Sequence, residues 1–150
     1  MSTIKDNRVV QPFLFLDGRT EEAIEYYKAA LGAEVIMMMR LKDSPEPPPA
    51  GCYPEGSGDK IMHAQIRIGR TVIMASDGRC SGKPVFAGFS LSLALATEAE
   101  ADQYFTALSD GGQVQMPLAK TFFSPRFGMV VDRFGVFWMI LVSPAHLAGT

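Results

Sequence analysis

Only a few side chains in these 150 residues could do chemistry: there are two histidines, two cysteines and one tryptophan. His63 sits in the run 60–68, where Met62, Ala64, Ile66 and Ile68 alternate with Ile61, His63, Gln65 and Arg67. In a strand the first set faces a helix, and the second faces a cavity or solvent. An imidazole there can donate, accept or shuttle a proton near neutral pH. It can equally be a hydrogen-bonded polar residue on a half-wet face. Asp77 follows the run 71–76 and Asp132 precedes the last hairpin, and either carboxylate could orient such a base. Both also fit turn chemistry, in which Asp bonds its own backbone, and turn structure is the expectation for both. Ser76 and Ser90 have no paired base that would make them nucleophiles. His146, in the tail SPAHLAGT, reads as a surface residue. Cys52 and Cys80 form neither a metal-ligand nor a CxxC spacing and suit a reducing cytoplasm. Neither a GxxxxGK[ST] phosphate cradle nor a GxSxG elbow occurs.

The elements that must position these residues come as one programme used twice. In the first half, 9–16 is an apolar run of strand length, with Pro12 suggesting a bulge or an edge. Thr20 offers an N-cap, followed by Glu21 and Glu22 in a dipole-favoured first turn. Ala23, Ile24, Tyr27, Ala30 and Leu31 then recur at helical spacing before Gly32. Strands follow at 33–41, 60–68 and 71–76, the last two joined by a tight turn at Gly69-Arg70. In the second half, 86–95 reads as a strand. Thr97 to Glu100 forms a capping box, and Tyr104, Phe105 and Leu108 give the next helix its buried stripe. Strands at 113–121, 126–131 and 136–142 complete the set. The two caps are 97 − 20 = 77 residues apart. Each half alone leaves a sheet face uncovered, so the two are expected to share one domain over 1–150, as modules at about 8–76 and 86–142. The segment 44–59, with five prolines and three glycines, is expected to be an irregular loop, either a lid or merely mobile.

Composition narrows the classes. Fourteen Lys+Arg against sixteen Asp+Glu, scattered along the chain, leave no basic stripe for nucleic acid. The longest apolar runs fall far short of the roughly 20 residues that span a bilayer, and the N-terminus MSTIKDNRVV has no signal-peptide core. The expectation is a cytoplasmic protein with no nucleic-acid or membrane partner.

The doubled βαβββ programme resembles the vicinal oxygen chelate superfamily, which includes glyoxalase I, extradiol dioxygenases and bleomycin-resistance proteins, and within it the PhnB-like branch. The resemblance is carried by Pro12-Phe13-Leu14-Phe15, Glu22 to Tyr27, Leu31-Gly32, His63-Ala64, Ile73 to Asp77, and Phe86 to Phe89. It closes with Phe122-Phe123, Phe127-Gly128 and the run from Asp132 to Ile140. It implies an α+β fold of tandem βαβββ modules whose two curved mixed sheets enclose a cavity. Metal-using relatives place His, Gln or Glu ligands on the first and last strand of each module. Here those positions fall on about Pro12, Met74, Phe89 and Met139, and a shift of one residue offers only Gln11. Such a set suits no hard or borderline divalent ion, and two thioethers make a thin case for Cu(I). No metal or other cofactor is therefore expected.

The resemblance also implies that Met139, with Phe137 and Leu141, lines the cavity, while Trp138 packs beneath a helix. Met74, Phe89, Phe123 and Met139, with His63, then form an apolar, adaptable surface suited to an organic ring or acyl group. The same side chains could instead simply fill the space. Three readings stay open: a binding protein for a small apolar or aromatic molecule, a metal-independent isomerase or lyase using His63 as general base, and a structural subunit with a filled cavity. Related sequences have been described as ubiquinone-pathway methyltransferases. The turn Leu16-Asp17-Gly18-Arg19 is too poor in glycine for a methyl-donor site, which argues against that chemistry. Superfamily habit and the apolar triplet Met37, Met38 and Met39 imply a homodimer.

Overall fold

The computed structural model describes residues 6–46, 51, 53, 55–78 and 84–143. Cys52, Cys80, His146 and most of the prolines of the 44–59 segment lie outside the described residues. The chain builds β1 (Phe13–Phe15), α1 (Thr20–Leu31), β2 (Glu34–Arg40), β3 (Ile61–Ile68) and β4 (Thr71–Ser76). It then repeats the order with β5 (Leu91–Leu95), α2 (Glu98–Ser109), β6 (Gln113–Ala119), β7 (Phe127–Val131) and β8 (Phe137–Val142). This is an α+β fold of two βαβββ modules. Each module forms a four-stranded mixed sheet of matching topology, β1-β4-β3-β2 and β5-β8-β7-β6, in which only the first pair is parallel. The chain divides into two compact units. One holds β1 to β4 and α1 up to Ile24, and the other holds Glu25–Gly32 with α2 and β5 to β8.

The repeat extends to single residues. In the first sheet Met37, Gln65, Met74 and Phe13 stand directly opposite one another across β2, β3, β4 and β1. The second sheet presents Met116, Met129, Met139 and Ser92 in the same order. Both outer strands shift register after a valine, between Val35 and Met37 and between Val114 and Met116, and such a bulge bends and twists an edge strand. Corresponding residues are 116 − 37 = 79 apart before the bulge strand ends and 129 − 65 = 64 apart after it. The difference of 15 is the proline-rich excess of the first module. The base of that loop is closed by Leu41 N–H donating to the Lys60 carbonyl at 2.9 Å and by Lys42 Nζ on Asp59 at 2.7 Å. One short 3-10 turn, Ser57–Asp59, forms within the stretch expected to be irregular.

Helix periodicity places Ala23, Ile24, Tyr27, Ala30 and Leu31 of α1 in the interior, and all five are buried. In α2 the buried stripe is Ala101, Phe105 and Leu108, while Tyr104 is half-exposed. The Thr97 hydroxyl caps the helix by accepting Glu100 N–H at 3.1 Å. Where α2 crosses β7, Gly128 is required: a Cβ there would lie 2.8 Å from Phe105 and 3.0 Å from the Met116 carbonyl. Trp138 is 2% exposed and is core, as its strand alternation implies.

Three expectations need correction. β1 spans only 13–15, and Val9 and Val10 are exposed outside it. β5 begins at Leu91 rather than near 86, because Gly88 takes φ +80° and breaks the extended run. Thr20 is not the cap of α1 but its first helical residue. Arg19 precedes it and accepts the first helical bond from Ala23 N–H, and the Thr20 amide is met by Asp77 Oδ1 at 2.8 Å.

Candidate functional site

In the first unit, alternation along β3 sends Ala64, Ile66 and Ile68 to the buried side, with Leu14, Ile73 and Ala75 of neighbouring strands. It fails at the strand's start, where Ile61, expected on the open face, is 2% exposed and Met62 is only half-buried beside the register shift between Met39 and Arg40. The other face carries Phe13 and Phe15 of β1, Met74 of β4, His63 and Gln65 of β3, and Met37 and Met39 of β2. Directly paired residues share a face. His63 and Met74 are half-buried and Phe13 is 37% exposed, so this apolar face is reachable. The Phe13 ring lies 5.6 Å from the His63 ring and 4.9 Å from Phe15, in tilted contacts. Gln65 Nε2 sits 3.3 Å from His63 Nε2. An amide nitrogen only donates, so this ring nitrogen accepts.

Asp77 bonds backbone far from its own turn. It is buried, with Oδ1 accepting Thr20 N–H at 2.8 Å and Oδ2 accepting Ile61 N–H at 2.7 Å. The carboxylate joins the start of α1 to the start of β3, where the helix dipole favours a negative charge. Asp132 combines both kinds of contact. Oδ1 accepts Phe134 and Val136 N–H at 2.9 and 3.0 Å, which is turn chemistry, while Oδ2 accepts the Tyr27 hydroxyl and Trp138 Nε1.

In the second unit, Met139 shares a face with Met129, Met116 and Ser92, and Leu141 with Phe127 and Ala94. The Phe123 ring stands 4.9 Å from Phe127, edge to face, which joins it to the same apolar surface. Phe89 lies before β5 and is 52% exposed, and Ser92 is the residue opposite Met139. Sequence reasoning missed Phe13, Gln65, Met129 and Ser92. Phe13 was legible as the alternate partner of Phe15. Met129 was not, because every residue from 129 to 131 is apolar and alternation is invisible there.

Across the first and last strand of each module, Phe13 stands opposite Met74 and Ser92 opposite Met139, whereas the expected positions Pro12 and Phe89 lie before β1 and β5. Among the described residues no group of three or more His, Cys, Asp or Glu could hold a metal ion, and Phe13, Met74, Ser92 and Met139 do not make a donor set for a divalent ion such as zinc. No helix among them is long and apolar enough to cross a membrane.

A family model described as 3-demethylubiquinone-9 3-methyltransferase matches residues 8–141. Protein YjdN of Escherichia coli K12 is 37% identical over 141 residues, covering 89% of this chain and 94% of that protein. The crystal structure of protein PA1353 from Pseudomonas aeruginosa has a TM-score of 0.78 at 40% identity, covering 89% of this chain and 96% of that one. A putative 3-demethylubiquinone-9 3-methyltransferase, PhnB protein, from Bacillus cereus gives 0.74 at 25% identity, covering 91% and 100%. The fold is also that of the fosfomycin resistance protein FosX from Listeria monocytogenes, at a TM-score of 0.64, 10% identity and 95% and 98% coverage. Sequence, topology and fold agree: the chain belongs to the PhnB-like 3-demethylubiquinone-9 3-methyltransferase family.

Proposed function

We propose that this chain binds a small, mostly apolar or aromatic molecule against the face that holds Phe13, His63 and Met74. The observation that carries this reading is the composition of that face. Half-exposed aromatic and thioether side chains surround one imidazole and one carboxamide, which is the mixture of apolar wall and few polar groups that fixes small ligands. A ring can stack on Phe13 while a polar substituent takes a hydrogen bond from His63 or Gln65. Met139 and Phe123 give the second sheet the same apolar chemistry.

Catalysis by His63 as a general base is the weaker reading. Such a base is usually oriented by a carboxylate, whereas the ring's partner here is the Gln65 carboxamide and Asp77 turns its oxygens to two backbone amides. Methyl transfer, named in the family's description, finds little support in this chain. The β1–α1 turn holds a single glycine, and the first amide of α1, which a helix N-terminus would offer to an anionic cofactor, is taken by Asp77. The working form is proposed to be a cytoplasmic homodimer, consistent with two unpatterned cysteines and the apolar outer strand β2. Thermal-shift screening with aromatic and acyl metabolites tests the binding reading. A compound that raises the melting temperature of the native chain, and does so less for Met74→Glu, supports it. Failure of every compound overturns it.

A further inference from the structure

We infer that Met116, Met129 and Met139 form a site for a soft monovalent cation, Cu(I) or its redox-silent analogue Ag(I). The inference rests on the second sheet alone and is independent of ligand binding on the first. Met116 stands directly opposite Met129, and Met129 directly opposite Met139, across β6, β7 and β8. Directly opposed side chains on neighbouring strands project from one face with Cβ atoms about 4.5–5.5 Å apart. Each Met carries its sulfur on a flexible unbranched chain, so the outer two can lean towards the central one and bring three thioethers to one point. Ser92 continues the row beyond Met139.

The donor set determines which ion fits. Neutral thioethers select soft cations, whereas divalent Mg, Ca, Mn or Zn need oxygen, imidazole or thiolate donors. The residues sharing this face include Ala94, Phe127, Leu141, Val131, Phe137 and Gln113, and they add no carboxylate, imidazole or thiol. Met129 and Met139 are half-buried while Met116 is 43% exposed, so an ion can enter and still be partly shielded from water. The first sheet supplies an internal comparison. Its corresponding row is Met37, Gln65, Met74 and Phe13, with a carboxamide where the central thioether would be. Binding is simple coordination that displaces water, with no change of oxidation state.

The test is titration of Ag(I) into protein carrying Cys52→Ser and Cys80→Ser, which removes the competing thiols, with methionine methyl groups labelled for NMR and stoichiometry read by native mass spectrometry. The methyl signals of Met116, Met129 and Met139 are expected to move together and stop at one Ag(I) per chain. Met129→Leu, a volume-conserving change, should weaken binding by more than about 100-fold, beyond the 10–100-fold lost with outer-shell partners of a metal. Met116→Leu, at an exposed position that cannot unfold the chain, should weaken it similarly. The inference is overturned if the three signals do not move, if they move independently, if those of Met37 or Met74 move first, or if either leucine variant keeps the affinity.

Discussion

The Tyr27 hydroxyl donates to Asp132 Oδ2 at 2.5 Å, and the same oxygen accepts Trp138 Nε1 at 2.9 Å. The Tyr27 and Trp138 rings meet edge-on, 5.9 Å between centroids. All three residues are buried, so one carboxylate oxygen satisfies the two aromatic polar groups of this core. Burial first, and then the charge of Asp132, hold the Tyr27 phenol well above its ordinary range. Above about pH 10 an unfolded tyrosine loses its proton while Tyr27 keeps it, so the folded state is fully favoured below that pH and loses ground as pH rises. The loss amounts to about 1.4 kcal/mol per pH unit. Tyr27→Phe removes this term. Urea midpoints at pH 9 and 11 should fall further apart for the native chain than for the variant, and equal slopes would show that the phenol titrates freely.

A second prediction separates Thr20 from Asp77. The Thr20 hydroxyl is buried without a hydrogen-bond partner, while its amide is held by Asp77. Thr20→Val should therefore leave stability unchanged or raise it by up to about 1 kcal/mol. If the hydroxyl were a helix cap, its loss would cost about 0.5–2 kcal/mol. Asp77→Asn keeps one acceptor but turns an NH2 group towards a second amide, and should cost about 1–3 kcal/mol. Denaturant unfolding of both variants gives the signs.

These two residues also show where the sequence is legible and where it is not. Periodicity and capping are local, so the five interior residues of α1, the Thr97–Glu100 cap and the alternation along β3 beyond its first two residues can be read directly from the chain. Asp77 reaches the start of α1 across 57 positions and Asp132 reaches Tyr27 across 105, and no local pattern marks either contact. The limits of β1 and β5 failed for a related reason. Apolar residues such as Val9 and Val10 look strand-like anywhere, but they pair only where a neighbouring strand runs alongside. Of the candidate site, His63 was legible by alternation along β3, and Met74 came from the family resemblance. Phe13 was legible only as the alternate partner of Phe15, and Ser92 emerged only once the parallel register of β5 with β8 was known.

Dimerisation gives the third prediction. The strand β2 ends its sheet, and Val35 and Ile36 are 40% and 42% exposed. β6, the matching edge, carries Pro117, which cannot donate to a further strand. Sedimentation at micromolar concentration should give about twice 16.3 kDa. Ile36→Lys, a charge placed on the unprotected edge, should shift the species towards monomer, and a native chain that sediments as a monomer would remove this part of the proposal.

The fourth prediction concerns the face of the first sheet and separates binding from turnover. Met74 is only half-buried, so Met74→Ala should cost well under the roughly 2–5 kcal/mol of a buried Met, leaving the fold intact while altering affinity for whichever compound the thermal-shift screen identifies. Met74→Glu puts a carboxylate among Phe13, Met37 and Gln65, where an apolar ligand would strip its water, and should weaken binding sharply. His63→Ala tells the two readings apart. For a binding protein it removes one hydrogen bond, about 0.5–1.5 kcal/mol, or roughly 2- to 13-fold in affinity. For an enzyme with His63 as base it lowers turnover by about 10²–10⁴-fold with affinity little changed. Calorimetric titration and product analysis on the same samples read both quantities. Met139→Ala, on the second sheet, serves as the comparison. If it alters affinity as much as Met74→Ala does, the ligand depends on both sheets. If neither alanine variant does more than lower the melting temperature, the thioethers are packing and the third reading, a structural subunit, is the one that stands.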